Sequence, residues 1–506
     1  MSFNLASILR ESATATPDKP LVHVAGHTFS YAQVDELSGR VAASLLGLGL
    51  RPGQTVAVQL PNIPQFLFAY FGVLKAGLVV LPLNPLLRTP EIAYHLEDSD
   101  AALLVTYDLF AGEALKAAEA GGVPAYVATS PGVPEAPEGA RHFDELYRAP
   151  DTREIAATDP DDTAVLLYTS GTTGHPKGAE LTHAQMYAAC TTGGETFGYR
   201  PEDVSLLVLP LFHVFGLSST LNVSVRFGGS VVLVPRFEVG AVLDALEKYR
   251  CTVFCGVPTM YVALVQADVG GRDLSALRVG VSGGASIPGE VIRAFEERFP
   301  GTVILEGYGL SETVALATFN RSADERRVLS VGKPLPGLDV RIFDEKDEEL
   351  PAGREHVGEI VIRGTTVMKG YYKKPEATAE AMRGGWFRTG DLAYRDEDGF
   401  VYIVDRKKDM VIRGGYNVYP REIEEVLYQH PAVAEAAVIG RPDERLGEEV
   451  VAYVSLKPGQ DADVADLSAF CKERLAAYKY PRELHILDDL PKGPTGKLLK
   501  TRLREM

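Results

Sequence analysis

The run from Tyr168 to Gly178 reads YTSGTTGHPKG and carries residue types suited to holding a polyphosphate. Its hydroxyl groups can donate hydrogen bonds to phosphate oxygens, and its glycines let backbone N–H groups approach an anion closely. A lysine near its end adds a mobile positive charge. The candidate phosphate-binding residues are Thr169, Ser170, Gly171, Thr172, Thr173, Gly174 and Lys177. A flexible surface connector has a similar composition, so the run alone leaves both interpretations open.

A strand and a helix are needed to position this loop. The apolar residues 164–168 predict a strand before it, and Thr182 and Gln185 have capping-box spacing for a helix after it. A second capping pair, Ser30 and Gln33, precedes a helical pattern, and strand-like and helix-like segments alternate through most of the first 400 residues. Such alternation predicts an α/β fold with a largely parallel sheet covered by helices.

The chain changes texture after Val331, where short strands and turns predict a mixed or antiparallel subdomain. The charged cluster DRKKD, at residues 405–409, then separates the apolar FVYIV from MVIRGG. We therefore expect a large N-terminal domain over residues 1–404, a hinge over 405–409 and a small mobile α+β domain over 410–506. A chain of 506 residues is too long for a single core, which agrees with this division.

The charge balance argues against several classes of partner. The chain has 51 Lys and Arg against 68 Asp and Glu, a net charge of −17, which disfavours nucleic acid and broad anionic membrane surfaces. The longest apolar stretch, residues 66–83, contains Lys75 and Pro82 and predicts a helix, a turn and a buried strand rather than a transmembrane segment. The four cysteines predict buried free thiols, and the N-terminus lacks an apolar signal core, so we expect a cytoplasmic protein.

Further motifs follow the phosphate-loop candidate along the chain. They are LFHVFG at 211–216, GVPT at 256–259, SGGAS at 282–286, GYGLSET at 307–313, GYY at 370–372, WFRTGD at 386–391, DRKKDMVIRGGYNVYP at 405–420 and PKGPTGK at 491–497. In this order they resemble the adenylate-forming superfamily, which includes acyl-CoA synthetases, aryl-CoA ligases, luciferases and the adenylation domains of peptide synthetases. The resemblance covers the whole chain.

The resemblance implies that ATP and Mg²⁺ bind around the glycine-rich motifs. Glu312 and Thr169 are similar to the family's magnesium-binding residues, and Asp391 to the carboxylate that accepts both ribose hydroxyls, a task for an acceptor-only group. Arg406 resembles its companion at the ribose. The remaining nucleotide-binding candidates are Gly284, Ala285, Glu306, Gly307, Tyr308, Gly309 and Thr313.

The same resemblance implies where the carboxylic acid reacts. His213, Phe215 and Gly216 would line the acyl pocket near the reacting carboxylate. Lys497 resembles the mobile lysine of the family's C-terminal domain, which reaches the carboxylate and the α-phosphate. The expected catalytic residues are therefore His213, Lys497 and Glu312. Flanking prolines and glycines suggest that Lys497 lies in an ordered loop.

Coenzyme A and domain movement are implied by residues near the boundary. Lys408 lies where the family places its hinge pivot. The candidates for guiding the pantetheine of coenzyme A are Gly414, Gly415 and Tyr416.

These roles predict a ligase that forms acyl-AMP and pyrophosphate and then transfers the acyl group to coenzyme A. The run RKKDMVIRGGYNVYPREIEEVLYQHP resembles bacterial fatty-acyl-CoA ligases, so we expect a medium- or long-chain fatty acid as substrate. An aryl-CoA ligase of the coumarate or benzoate type is the alternative, followed by an enzyme that loads a carrier protein. An NTPase of the kinase type and a catalytically silent nucleotide-binding protein are the rivals from other classes. The sequence leaves the length of the acyl chain, the pathway and the oligomeric state open, and a homodimer is compatible with it.

Overall fold

The computed structural model describes residues 2–169 and 175–506. The described strands form two large sheets, an antiparallel sheet and a separate sheet near the C-terminus. The strands are β1 Pro20–Val24, β2 His27–Ser30, β3 Thr55–Gln59, β4 Val79–Pro82, β5 Ala101–Tyr107, β6 Ala125–Ala128, β7 Arg141–His142, β8 Thr163–Thr169, β9 Lys177–Thr182, β10 Val204–Leu207, β11 Ser230–Leu233, β12 Val253–Gly256, β13 Val279–Ser282, β14 Val303–Tyr308, β15 Thr318–Phe319, β16 Lys333–Pro334, β17 Leu338–Phe343, β18 Gly358–Gly364, β19 Gly370–Tyr371, β20 Met382–Arg383, β21 Trp386–Arg395, β22 Val401–Arg406, β23 Val411–Arg413, β24 Tyr416–Val418, β25 Val433–Asp443, β26 Gly447–Leu456 and β27 Glu483–Ile486.

Helices cover the two large sheets and pack on the C-terminal sheet. They are α1 Ser7–Ala15, α2 Tyr31–Gly47, α3 Pro64–Lys75, α4 Thr89–Asp98, α5 Ala111–Gly121, α6 His183–Thr196, α7 Val223–Arg226, α8 Val239–Lys248, α9 Pro258–Gln266, α10 Gly289–Arg298, α11 Pro375–Ala381, α12 Pro420–Tyr428, α13 Val464–Arg474 and α14 Lys500–Arg504. A π-helix, Phe215–Asn222, runs directly into α7. Short 3₁₀ turns lie at Asp108–Phe110, Phe143–Tyr147 and Ser311–Thr313.

The two large sheets are mainly parallel, as the alternation of strand and helix patterns predicts. One has nine strands in the order β16-β15-β14-β13-β12-β10-β11-β1-β2, with antiparallel pairing only at its two ends. The other has eight strands in the order β19-β9-β8-β4-β3-β5-β6-β7, where β8, β9 and β19 are antiparallel neighbours. The predicted fold class is therefore confirmed.

Local sequence signals account for the helices that flank the candidate phosphate loop and the N-terminus. Both predicted capping boxes form: the hydroxyl of Ser30 accepts the Gln33 amide, and that of Thr182 accepts the Gln185 amide. The apolar residues 66–83 form most of α3 and all of β4 and are buried throughout. None of the described helices combines the length and apolar character needed to cross a bilayer.

The antiparallel subdomain begins after Val331, as the change of texture predicts. Its sheet has the order β17-β18-β21-β20, with β22 paired to β21. β22 extends to Arg406, so Asp405 and Arg406 are still paired with β21 at the start of the proposed hinge. A hydrogen-bonded turn follows over residues 407–409.

The C-terminal sheet has a core of its own. Its order is β24-β23-β26-β25, with β27 parallel to β26, and α12 and α13 pack on it through Ile423, Leu427 and Leu467. All three of these side chains are fully buried. This is the α+β unit that the sequence predicts beyond the charged cluster.

Candidate active site

The carboxyl ends of three neighbouring parallel strands provide the floor of the site. Gly256 of β12, Ser282 of β13 and Glu306 of β14 are adjacent in register at this edge of the nine-stranded sheet. The motifs GVPT, SGGAS and GYGLSET follow from these three strand ends. Ligands of parallel α/β sheets bind outside the carboxyl ends of their strands, so this edge is where a substrate is expected.

A carboxylate and two hydroxyl groups meet next to the phosphate-loop candidate. Oε1 of Glu312 accepts hydrogen bonds from the Thr169 hydroxyl at 3.2 Å and from the Tyr371 hydroxyl at 3.0 Å. Glu312 lies in the short 3₁₀ turn after β14 and is nearly buried, whereas Thr169 ends β8 of the other large sheet. The contact therefore joins the two sheets across the site.

Tyr371 also faces the lysine of the phosphate-loop candidate. The Lys177 ammonium lies over its ring, 5.5 Å from the centroid. Burial and the neighbouring Glu312 carboxylate raise the pKa of Tyr371, so its hydroxyl stays protonated and donates to Glu312. β19 holds this tyrosine opposite Ala179 of β9, the strand that begins at Lys177.

The proposed ribose carboxylate is held from two sides. The Tyr308 hydroxyl donates to Oδ2 of Asp391 at 2.6 Å, and Nε of Arg406 lies 3.5 Å from Oδ1. Burial raises the pKa of the Asp391 carboxyl, and the charge of Arg406 opposes that rise. The three residues come from β14, β21 and β22, so this group forms only when the antiparallel subdomain packs on the nine-stranded sheet.

The adenine-pocket candidates line the loop after β13 and the end of β14. Glu306 is buried, accepts a hydrogen bond from the Ile287 amide at 3.3 Å and has its pKa raised by burial to about 7. Gly284 and Ala285 are exposed at the rim of the site. Gly309 is required by close packing, because a Cβ there would lie 2.1 Å from the Ala315 carbonyl oxygen.

His213 lies two residues before the π-helix and is uncharged. Burial and the nearby Lys497 charge lower its pKa to about 3. Its Nδ1 accepts the Phe215 amide at 3.3 Å, so the ring hydrogen lies on Nε2 and is free to donate toward a ligand. π-helical segments are rare and occur frequently at functional sites.

Phe215 and Gly216 occupy the first turn of that helix. The Phe215 ring packs on the backbone after β13, since a Cβ on Gly283 would lie 3.3 Å from its Cε1. Gly216 lies against the backbone before the helix, with the Pro210 carbonyl 2.5 Å from where a Cβ would be. A larger side chain at this position would collide with the preceding backbone, which explains the glycine.

Lys497 of the small domain enters the site. Its side chain passes so close to Gly284 that a Cβ on that glycine would lie 2.6 Å from Lys497 Cε. Burial and repulsion by Arg406 lower the pKa of Lys497 to about 8, and the attraction of Asp391 partly opposes this. Lys497 therefore lies close enough to His213, Asp391 and Arg406 for their charges to affect one another's pKa values.

The loop that carries Lys497 is ordered and touches the large domain. Residues 491–497, which we call the lysine loop, are closed by hydrogen bonds from the Gly493 amide to the Lys497 carbonyl and from the Gly496 amide to the Gly493 carbonyl. The Thr259 hydroxyl of α9 donates to the Gly496 carbonyl at 2.7 Å. This bond joins the two domains one residue before Lys497.

The pantetheine candidates form a different part of the small domain. Gly414 and Gly415 both have positive φ angles, 58° and 85°, and make the two-residue turn between β23 and β24. Tyr416 is 59% exposed and stacks on Tyr478, with 4.7 Å between ring centroids. We call residues 411–418 the glycine hairpin.

Some predicted residues are placed differently from the rest. The Thr313 hydroxyl faces its own turn, where it accepts the Leu310 amide and donates to the Leu310 carbonyl. Lys408 is exposed in the turn after β22. Five candidates lie outside the described residues: Ser170, Gly171, Thr172, Thr173 and Gly174.

Two residues of the site, Tyr371 and Thr259, carry no role in the sequence-based interpretation. Both belong to motifs that support the resemblance, GYY and GVPT. Their contacts cross between elements far apart in sequence, 59 residues for Tyr371 and Glu312 and 237 for Thr259 and Gly496. The signal that the sequence offers for these two residues is a polar side chain, without an assigned partner, inside a motif that supports the resemblance.

Two family models and curated relatives match most of this chain. The family model described as AMP-binding enzyme matches residues 9–372, and that of the AMP-binding enzyme C-terminal domain matches residues 422–497. The chain is 39% identical to a long-chain-fatty-acid–CoA ligase of Bacillus subtilis, over 99% of this chain and 94% of that protein. It is 38% identical to a feruloyl-CoA synthase of Amycolatopsis sp., over 97% of this chain and 96% of that protein.

A solved structure has the same fold over the full length. The ATP-bound crystal structure of MatB from Rhodopseudomonas palustris superposes with a TM-score of 0.91 at 34% sequence identity. The alignment covers all of this chain and 99% of MatB. The predicted resemblance to adenylate-forming enzymes is thereby confirmed.

Proposed function

This chain belongs to the AMP-binding enzyme family and is an AMP-forming acid–CoA ligase, and we propose that the site at the strand ends joins a medium- or long-chain fatty acid to coenzyme A. The observation that carries the proposal is the position of Lys497 beside Gly284, next to His213 and Asp391. These groups come from both domains and converge on the edge where a nucleotide is expected.

In the first half-reaction, a carboxylate oxygen of the acid attacks the α-phosphorus of ATP. The bond to the β-phosphate breaks, and pyrophosphate leaves with the electron pair. Lys497 would stabilise the negative charge that accumulates around the α-phosphate, and the Nε2–H of His213 would orient the carboxylate. Asp391 would hold the ribose hydroxyls, because its position is fixed by Tyr308 and Arg406.

The residues present fit a magnesium ion. Mg²⁺ prefers oxygen ligands and is commonly held by one or two carboxylates together with substrate phosphates. The Glu312 carboxylate and the Thr169 hydroxyl, 3.2 Å apart, supply such oxygens next to the phosphate-loop candidate. A bound Mg²⁺ would neutralise charge on the phosphates. Lys177, held over the Tyr371 ring, would meet the same phosphates.

In the second half-reaction, the sulfur of coenzyme A attacks the acyl carbon and its thiol proton passes to solvent, while the bond to the AMP oxygen breaks and AMP leaves with the electron pair. We assign the path of pantetheine to the glycine hairpin. Lys497 and this hairpin belong to one small domain, so a turn of that domain about Lys408 would bring the hairpin to the acyl group after pyrophosphate leaves. The hydrogen-bonded turn at 407–409 is the connection that would change conformation.

Apolar side chains around His213 support a fatty acid as the substrate. Leu211, Val214, Phe215 and Leu217 flank it in sequence and are all buried. Each methylene that an acyl pocket at this point would bury contributes about 0.8 kcal/mol, so affinity should rise with the length of the acyl chain until the pocket is full. The fatty-acid–CoA ligase of Bacillus subtilis is a relative that agrees with this substrate.

A specific observation favours an aryl acid as the second candidate. The π-helix also carries the buried hydroxyls of Ser218 and Ser219, which have no hydrogen-bond partner in residues 2–169 and 175–506. Buried polar groups are normally paired, so a hydroxylated or methoxylated ring would supply what these groups lack. The feruloyl-CoA synthase among the relatives agrees with this alternative.

Carboxylate-dependent exchange between ATP and pyrophosphate tests the function. We expect exchange without coenzyme A, and AMP rather than ADP as the product when coenzyme A is added. The acids should be fatty acids of increasing length, benzoate, cinnamate and 4-hydroxycinnamate. A kcat/KM that rises with chain length supports the fatty acid.

The outcomes separate the candidates. A higher kcat/KM for 4-hydroxycinnamate than for every fatty acid would overturn the fatty-acid proposal in favour of the aryl acid. ADP formation, or a lack of exchange with every acid, would contradict the ligase chemistry itself. Asp391→Ala provides the inactive control, because it removes the proposed ribose acceptor.

A further inference from the structure

Thr259 makes a hydrogen bond to the lysine loop that crosses between the two domains. Thr259 is the second residue of α9. Its hydroxyl donates to the Gly496 carbonyl at 2.7 Å. The bond therefore joins residues that are 237 positions apart in sequence and belong to different domains.

The bonded carbonyl lies directly before Lys497. Two backbone hydrogen bonds within the lysine loop fix Gly496 relative to Lys497. The loop is tied to its own domain by Lys492, whose ammonium lies 2.8 Å from Oε2 of the buried Glu435 on β25. Holding Gly496 in place therefore also restricts the position of Lys497.

Close contacts beside this bond leave little room for another placement of the loop. A Cβ on Gly496 would lie 3.1 Å from Cγ2 of Val257 and 3.3 Å from the Thr259 oxygen, and Gly496 has a φ angle of 79°. On the far side, Gly284 gives room for the Lys497 stem. The two glycines and Thr259 together define one entry path for the ammonium group.

We propose that Thr259 is a positioning residue for acyl-AMP formation, because its hydroxyl holds the lysine loop against the large domain with Lys497 in the site. The inference rests on the proposed function, in which Lys497 acts only in the first half-reaction. Thr259 should then be dispensable for acyl transfer, which proceeds with the lysine loop released. Removing the Thr259 hydroxyl should therefore slow one half-reaction, whereas a general loss of stability would slow both.

The test compares Thr259→Val, Thr259→Ser and the control Thr302→Val. The Thr302 hydroxyl also donates to a backbone carbonyl, that of Leu277 at 2.8 Å, but within the large domain and away from the lysine loop. ATP–pyrophosphate exchange measures the first half-reaction, and acyl-CoA formation from supplied acyl-AMP measures the second. Thermal melting of each variant checks folding.

We expect Thr259→Val to slow exchange about tenfold, the scale of a buried acceptor left without its donor, and to leave acyl transfer unchanged or faster. Thr259→Ser should restore exchange to within about twofold because it keeps the hydroxyl. Thr302→Val should affect the two half-reactions equally. Wild-type exchange in Thr259→Val, or an equal loss in both half-reactions, would overturn the inference.

Lys497→Ala separates this inference from the function on which it rests. If Lys497→Ala loses exchange while Thr259→Val does not, only the role of Thr259 is wrong. If Lys497→Ala keeps normal exchange, the assignment of Lys497 fails first.

Discussion

The lysine loop and the glycine hairpin belong to the same small domain but have opposite surroundings. The lysine loop is bonded to Thr259, and its lysine is packed against Gly284 of the large domain. The hairpin carries Tyr416, which is 59% exposed and stacks on Tyr478 of its own domain. In this structure the large domain therefore receives the lysine loop, while Tyr416 of the hairpin faces solvent.

The two faces differ in the free energy of desolvation that their contact with the large domain requires. Burial lowers the pKa of Lys497 to about 8, which means that docking its charge without substrate is unfavourable. The exposed hairpin pays no comparable desolvation, and its positive φ angles are borne by glycines. Negative phosphates would offset the cost of docking Lys497, so ATP should favour the conformation described and its consumption should release it.

The largest expected effect comes from removing the charge on the docked face. Lys497→Ala should lower the rate of ATP–pyrophosphate exchange by about 10² to 10³, because a preorganised charge at the α-phosphate is lost. Transfer from supplied acyl-AMP to coenzyme A should remain near the wild-type rate. A comparable loss in both half-reactions would mean that the small domain no longer folds or packs correctly, and near-normal exchange would contradict the role of Lys497.

Fixing the hinge should separate the two faces in the opposite sense. Proline restricts φ to about −65° and has no amide hydrogen. Within the residues that the structure describes, the Lys408 amide makes no backbone hydrogen bond outside helices and strands, so Lys408→Pro removes none of the hydrogen bonds that close the turn. We expect acyl-AMP to form and accumulate while transfer to coenzyme A falls about tenfold or more.

Lys408→Ala is the matched control for this substitution, because it removes the charge and leaves φ free. It should transfer at the wild-type rate. If Lys408→Pro also ligates coenzyme A at the wild-type rate, the hinge does not lie at this residue.

Much of this arrangement could be predicted from the sequence, for identifiable reasons. Strand and helix patterns, and both capping boxes, depend on neighbouring residues, and they form as expected at Ser30 and Thr182. The contact of Lys497 with Gly284 depends instead on the packing of two domains. It was accessible only through resemblance to a family, since no periodicity in the chain encodes it.

The contacts of Thr259 and Tyr371 could not be predicted even with that resemblance. A hydroxyl reveals its partner only when elements distant in sequence are packed together, as α9 is with the lysine loop. The hydrogen bonds of Thr313 could not be predicted either, because its hydroxyl bonds to the backbone of its own turn. Motif membership identifies such residues as important and leaves their bonds undefined.

The pH dependence should differ between the two faces. The protonated Lys497 is the active form, so the kcat/KM of exchange should be full below about pH 8 and fall about tenfold per pH unit above it. His213, with a pKa of about 3, stays neutral and should add no limb near pH 6 or 7. Transfer from acyl-AMP should show no such fall. An alkaline limb of equal size in both half-reactions would contradict the assignment to Lys497.

The smallest expected effect concerns the large domain alone. Tyr371→Phe keeps the ring under Lys177 and removes the hydrogen bond to Glu312, so the KM for ATP with Mg²⁺ should rise about fivefold with kcat nearly unchanged. Tyr372→Phe, which removes a hydroxyl bonded to Asp100 at 2.9 Å, is the control. Equal behaviour of the two variants would show that the Tyr371 hydroxyl does not position Glu312.

A reversible cross-link between the domains tests the central claim most directly. A Cβ on Gly496 would lie 3.3 Å from the Thr259 oxygen, within reach of a disulfide in Thr259→Cys/Gly496→Cys, and the four natural cysteines are buried. A cysteine is strained at the φ angle of 79° of Gly496 in both redox forms, so the oxidised and reduced forms of this variant are compared with each other. The oxidised enzyme should form acyl-AMP at least as fast as the reduced form, which lacks the Thr259 hydroxyl, yet fail to transfer it to coenzyme A until a reductant is added. Equal rates of acyl-CoA formation in the oxidised and reduced forms would contradict an account in which the two faces of the small domain take turns at one site.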